Sequence, residues 1–228
     1  PTDPSGFWVA LVTQDWRWRM VTPAKGDYEG IPLTPEGRAV ADAWVPEKDD
    51  AAGEQCRSYG APALMSVPGR LHITWQDDST LKVETDAGMQ TRLLRFGDAE
   101  MPADTPRTRQ GVSVAQWQTP RPIVPLILRP AERTADAPSV VPTGGSLRVV
   151  TTNLRAGYLR KNGVPYSENA VLTEHWDVYE RANGETYLTI TTIVEDSQYL
   201  RTARLVAPVF KKEPNGAKWD PTPCSSTW

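Results

Sequence analysis

Two stretches of this chain alternate apolar and polar residues with a period of two, which commits them to strands with one buried face. Leu71, Ile73 and Trp75 alternate with His72, Thr74 and Gln76. After Asp77-Asp78-Ser79, Leu81 and Val83 alternate with Lys82 and Glu84, and Asp86-Ala87-Gly88 turns the chain into a third run over 90–96. Further on, the pattern predicts strands over 146–153, 171–180, 185–195 and 204–211. Asn183-Gly184 is a hairpin signal, because a type I′ turn needs positive φ at both central positions. Asn162-Gly163 and Asn215-Gly216 mark further turns.

The N-terminal part reads less uniformly. Residues 7–13 and 16–21 are aromatic and β-branched enough to predict two short strands, and 112–118 predicts another. One short helix is expected near residues 34–46, with Thr34 as N-cap, Pro35 at the first helical position and Pro46 as the stop. A helical turn between Asp49 and Tyr59 would carry Cys56 toward the strands. Residues 98–110 and 119–145 are expected to be long Pro-rich loops, the second either mobile or a lid. With 21 prolines, 16 glycines and 39% hydrophobic residues, a turn-rich chain with a real core is expected. The fold class is mostly β: an antiparallel meander forming a closed or nearly closed 8-10-stranded barrel in a single domain, 1–228.

The formal charge is −3 and acidic residues are interleaved with the arginines, which argues against nucleic acid as partner. No apolar run approaches the roughly 18 residues needed to cross a bilayer as a helix. The chain opens on Pro1-Thr2-Asp3-Pro4-Ser5-Gly6 without an initiator Met, as a processed protein would. Its two cysteines, Cys56 and Cys224, form an even pair, and the stiff Asp220-Pro221-Thr222-Pro223 segment before Cys224 has little else to hold it. A disulfide between them is expected, and with it a periplasmic or secreted location. Closing so long a loop is worth up to ~5 kcal/mol on the chain-entropy account.

The run Gly157-Tyr158-Leu159-Arg160-Lys161-Asn162-Gly163-Val164-Pro165-Tyr166-Ser167, followed by Thr173-Glu174 and Glu195-Asp196, resembles a group of exported bacterial proteins of uncharacterised function. Asp15-Trp16-Arg17, Gly26-Asp27-Tyr28 and the segment from Trp219 to Cys224 fit the same group. The resemblance implies export and brings no activity with it. The meander itself suggests a lipocalin-like (calycin-like) barrel, although the opening Gly6-Phe7-Trp8 departs from the Gly-x-Trp of true lipocalins.

No phosphate loop, dinucleotide fingerprint, nucleophile elbow or Cys-x-x-Cys occurs, so no cofactor is expected. The only histidines, His72 and His175, lack metal-ligand spacing, and no metal site is expected. Glu174 shares a strand face with Leu172, Trp176 and Val178, so it points toward an apolar interior. There it is either a general acid or base of raised pKa, or the partner of an interior arginine such as Arg92 or Arg148. His72 and Glu84 lie on adjacent strands and suit proton transfer, or else a solvated surface pair. Tyr166, in a turn-rich loop flanked by Tyr158 and Arg160, is a candidate to stabilise developing charge at a barrel mouth. Nine tryptophans are present; as strand neighbours Trp16 and Trp18 would share one face and stack on a ligand, with Trp176, Tyr158 and Arg92 as further binding candidates.

Three functions fit these residues. The first is an exported small-molecule-binding barrel with a partly apolar, aromatic-lined pocket. The second is a cofactor-free acid–base enzyme (isomerase, lyase or hydrolase) using Glu174, His72, Glu84 and Tyr166. The third is an envelope structural or interaction protein. The sequence leaves the ligand and the oligomeric state open.

Overall fold

A computed structural model describes residues 2–97, 104–118 and 145–228. The expected 119–145 loop lies almost wholly outside the described residues, as does the first half of 98–110.

Twelve strands form among the described residues. In chain order they are β1 (Gly6–Leu11), β2 (Arg70–Asp77), β3 (Thr80–Thr85), β4 (Thr91–Phe96), β5 (Val112–Gln118) and β6 (Ser146–Thr152). These are followed by β7 (Gly157–Arg160), β8 (Val164–Tyr166), β9 (Val171–Glu180), β10 (Thr186–Glu195), β11 (Arg204–Val206) and β12 (Val209–Glu213). Strands β10, β12, β1, β2, β3, β4, β5, β6 and β9 pair in that order, and β9 pairs back to β10, closing a nine-stranded barrel. β11 adds to the free stretch of the β10 edge beyond β12, and β7 and β8 form a separate hairpin. Closure removes the exposed edges that an open sheet of this size would carry.

The barrel is mixed. β4 and β5 run parallel, Leu94 opposite Ser113, while the other pairs are antiparallel. Fifteen residues separate these two strands, Gly97 to Gly111, so the link is long enough to carry the chain back to the starting end. The hairpin expected at Asn183-Gly184 joins β9 to β10 over ten residue pairs, Thr186 opposite Glu180 through Glu195 opposite Val171.

Helices are short and lie mostly between β1 and β2. They are α1 (Trp16–Arg19), α2 (Pro35–Asp42), α3 (Pro46–Ala51) and α4 (Ala61–Leu64), with a 3₁₀ turn at Gln55–Tyr59. α2 begins as expected, its Thr34 hydroxyl accepting from the Gly37 amide and Pro35 sitting at the first turn. Pro46, expected as a stop, instead opens α3, since a proline at a first helical turn loses no hydrogen bond. The strand expected over 16–21 is a helical turn: Asp15 takes a left-handed backbone (φ 53°) and Met20 N–H donates to Trp16 O. Four residues cannot reveal a period, so their aromatic content misdirected the reading.

The barrel interior is filled by Trp8, Ile73, Leu94, Trp176, Ile190 and Phe210, all at most 2% exposed. Tyr59, Leu64 and Met65, from the helical segment, pack on the same core. A second apolar cluster joins Tyr28, Leu33 and Ala41 to Leu159 and Tyr166 of the β7–β8 hairpin. Cys56 and Cys224 form the expected disulfide, which ties the segment after β12 to the 3₁₀ turn.

Candidate functional site

Glu174 is fully buried on the inner face of β9, as its alternation demands. Both its oxygens are engaged: Arg92 Nη1 donates to Oε1 at 3.1 Å and Nη2 to Oε2 at 2.6 Å. Arg92 Nη2 also reaches Thr151 Oγ1 at 3.2 Å, which lies 2.8 Å from Ser113 Oγ. The four residues form a polar belt from β4 through β5 and β6 to β9. This is the pairing with an interior arginine that the sequence offered as one reading of Glu174, and it ties both carboxylate oxygens to one guanidinium inside the filled barrel.

His72 and Glu84 are neighbours, with Nδ1 3.4 Å from Oε2, but they stand on the outer face of the barrel. The imidazole stacks flat on Phe7 at 4.1 Å with the Trp219 ring edge-on, and Lys82 competes for the same Glu84 oxygen at 3.0 Å. Tyr166 is inside the second core, its hydroxyl aimed between Gly60 and Gly157. Burial pushes its pKa well above the ordinary value. Tyr158 is buried as well, under the Arg57 guanidinium and 3.5 Å from Asp49 Oδ1. Trp176 belongs to the barrel core. The expected site residues are therefore dispersed, apart from the two pairs Arg92–Glu174 and His72–Glu84.

Trp18 leads elsewhere. Its indole N–H donates to Asp27 Oδ2 at 3.1 Å, and the Arg160 guanidinium stacks over its ring at 4.4 Å. Arg160 is the last residue of β7, where all four residues are buried. Beside it, outside the barrel, is a recess of about 30 Å³ with an apolar floor of Ala63, Val67 and Leu159. By volume it takes roughly two water-sized groups.

Four cations line that recess: Arg19, Arg160, Lys161 and Arg204. They are 7, 8, 3 and 6% exposed. Asp15 is the one acidic side chain in the lining, and none of the four cations forms an ion pair with a described residue. Counting side chains alone, four positive charges face one negative in the lining, in a chain whose net charge is −3. Arg19 Nη2 and Arg204 Nη1 are buried without a hydrogen-bond partner among the described residues.

The rest of the cluster is held firmly. Arg19 Nε donates to Ser66 O at 2.7 Å, and Arg160 Nη1 donates to Glu29 O at 3.0 Å. Lys161 Nζ donates to Tyr59 Oη at 2.8 Å and Thr227 O at 3.1 Å, and lies 3.7 Å from the Trp228 ring centre. Next to it, Asn162 Nδ2 donates to Ala24 O and Asp27 O, fastening the hairpin to the loop that carries Trp18 and Arg160's partner. Burial lowers the Arg204 pKa to about 10, and the neighbouring Arg160 and Arg19 push in the same direction. Burial alone brings Lys161 down to about 8.

Buried cations are ordinarily paired, because an uncompensated charge costs several kcal/mol out of water. This recess gathers four of them, two with donors that have no partner among the described residues. Trp18, Arg160 and Lys161 stood in stretches that the sequence singled out, but Arg204 and Trp228 did not. Arg204 sits alone at a strand start, so no local pattern marks it.

Two shallower hollows, of about 460 and 410 Å³, flank residues 30–38 and 201–205 but lack such a cluster. No group of three or more metal-ligating side chains occurs among the described residues. No helix among them is long and apolar enough to cross a membrane. No family model, curated protein or solved structure matches the chain.

Proposed function

We propose that this is an exported barrel protein, periplasmic or secreted, that binds a small anionic molecule in the recess between α1, β7 and β11. The observation that carries the reading is the set of four buried cations without an ion-pair partner among the described residues. Space for roughly two water-sized groups suits the leading oxygens of a carboxylate, sulfate or phosphoryl group, with the remainder at the open side. Trp18 and Trp228 give the pocket the aromatic walls expected of a small-molecule binder, and the Cys56–Cys224 disulfide fits an oxidising compartment.

Titration calorimetry with inorganic phosphate, sulfate and acetate at low ionic strength tests this. Saturable one-site binding is expected for at least one anion, weakened by at least ~tenfold in Arg160→Met, a change of ~1.4 kcal/mol. Absence of saturable binding of all three, or equal binding by wild type and Arg160→Met, would overturn it.

A further inference from the structure

Among the described residues nine large hydrophobic side chains are exposed, and four of them belong to the segments that border the recess, 16–21 and Trp228. Trp16 and Met20, 64 and 54% exposed, stand one helical turn apart and bracket Trp18 and Arg19, which line the recess. Val21, 59% exposed, follows directly. Trp228 N–H donates to Thr22 Oγ1 at 2.6 Å, which brings the Trp228 indole, itself 41% exposed, alongside that segment.

An inorganic anion requires only the buried cations. The apolar fringe has no part in holding one, and exposing four large apolar side chains together is unfavourable unless something covers them. Charge complementarity then selects the cover: a partner with a compact anionic group at its centre and apolar matter around it. The chain carries net −3, so no long-range attraction draws it to a negative surface, and recognition must come from this one recess.

We propose that the recess takes the phosphoryl group of an anionic phospholipid at a bilayer surface, with Trp16, Met20, Val21 and Trp228 seated at the headgroup–acyl boundary. Tryptophan suits that depth because its ring is apolar and its N–H can stay hydrated. The protein lies on the membrane and does not cross it. The proposal rests on the reading of the recess as an anion site.

Flotation of the full chain with phosphatidylcholine vesicles, with and without phosphatidylglycerol, tests it, alongside calorimetry with inorganic phosphate. Wild type is expected to float with the phosphatidylglycerol vesicles only, with a blue shift of tryptophan emission, and excess phosphate is expected to release it. The double variant Trp16→Ser/Met20→Ser, altered at exposed positions, is expected to lose vesicle binding by at least ~tenfold while binding phosphate unchanged. Arg160→Met is expected to lose both. Phosphate binding without flotation overturns the lipid proposal and leaves the anion site standing; binding of neither overturns both. Equal flotation with phosphatidylcholine alone, or a concentration-dependent dimer abolished by the double variant, would show that the fringe serves apolar adsorption or self-association, and would overturn it.

Discussion

Arg92 and Glu174 meet inside the barrel through two parallel hydrogen bonds, from strands that are separated by β5 and β6. Neither side chain has any exposed surface. Removing one partner leaves a charge buried and unpaired, so Glu174→Gln and Arg92→Met are each expected to cost ~3–5 kcal/mol in urea denaturation. The double variant Arg92→Met/Glu174→Leu should recover most of that loss, because apolar replacements also discard the desolvation penalty. Singles within ~0.5 kcal/mol of wild type would contradict the isolation of the pair.

Arg204 should behave in the opposite way. Its Nη1 is buried without a partner among the described residues, and its charge faces Arg160 and Arg19. Arg204→Met is therefore expected to raise the anion-free melting temperature while abolishing the rise that phosphate produces in wild type. A lower melting temperature in anion-free buffer would mean that Arg204 stabilises the apo fold.

The Lys161 ammonium gives the site a pH dependence. Its folded pKa is lowered from 10.5 to about 8, so between these values the unfolded chain holds more protons than the folded one. Stability from this group therefore rises with pH across that window, whereas anion binding, which needs the charged form, falls as pH passes about 8. Tyr59, which accepts from Lys161, has its own pKa raised by burial. Calorimetry above pH 8 in buffers of differing ionisation enthalpy should show proton uptake on phosphate binding, absent in Lys161→Met. Constant affinity from pH 6.5 to 9.5 (roughly one and a half units either side of the Lys161 value) would exclude the lysine from the site.

Cys56→Ser/Cys224→Ser should lose about 2–5 kcal/mol, since a disulfide joining residues 168 apart constrains a long loop of the unfolded chain. The segment it tethers holds Thr227 O and the Trp228 ring against Lys161, so weaker phosphate binding is expected as well. Urea denaturation and calorimetry on the same variant would separate the two effects.

Gly163 holds φ at 80°, and a Cβ there would stand 2.2 Å from Trp44 Cβ. Gly163→Ala should cost at least ~2 kcal/mol from backbone strain and overpacking together. A neutral result would show that the β7–β8 turn can move away from α2 and α3 without loss.

How far the sequence reached differs between fold and site. Leu71–Ile73, Leu81–Val83 and Leu172–Trp176 show the inward faces directly, because burying one face of a strand imposes a period of two. Asn183-Gly184, Thr34-Pro35 and the cysteine pair were equally legible, each being a local or countable signal. By itself, then, the sequence determined a mostly β barrel, its β9–β10 hairpin, its one capped helix and its disulfide. Tertiary structure decided the rest: that β4 and β5 run parallel, that Glu174 found Arg92 rather than Arg148, and that His72 faces outward against Phe7. It also brought Arg19, Arg160, Lys161 and Arg204 from three distant segments into one recess. Strand periodicity reports which side of a strand is buried, a local property. Which charges share a buried space depends on contacts between residues up to 185 positions apart (Arg19 to Arg204), and no local pattern encodes those.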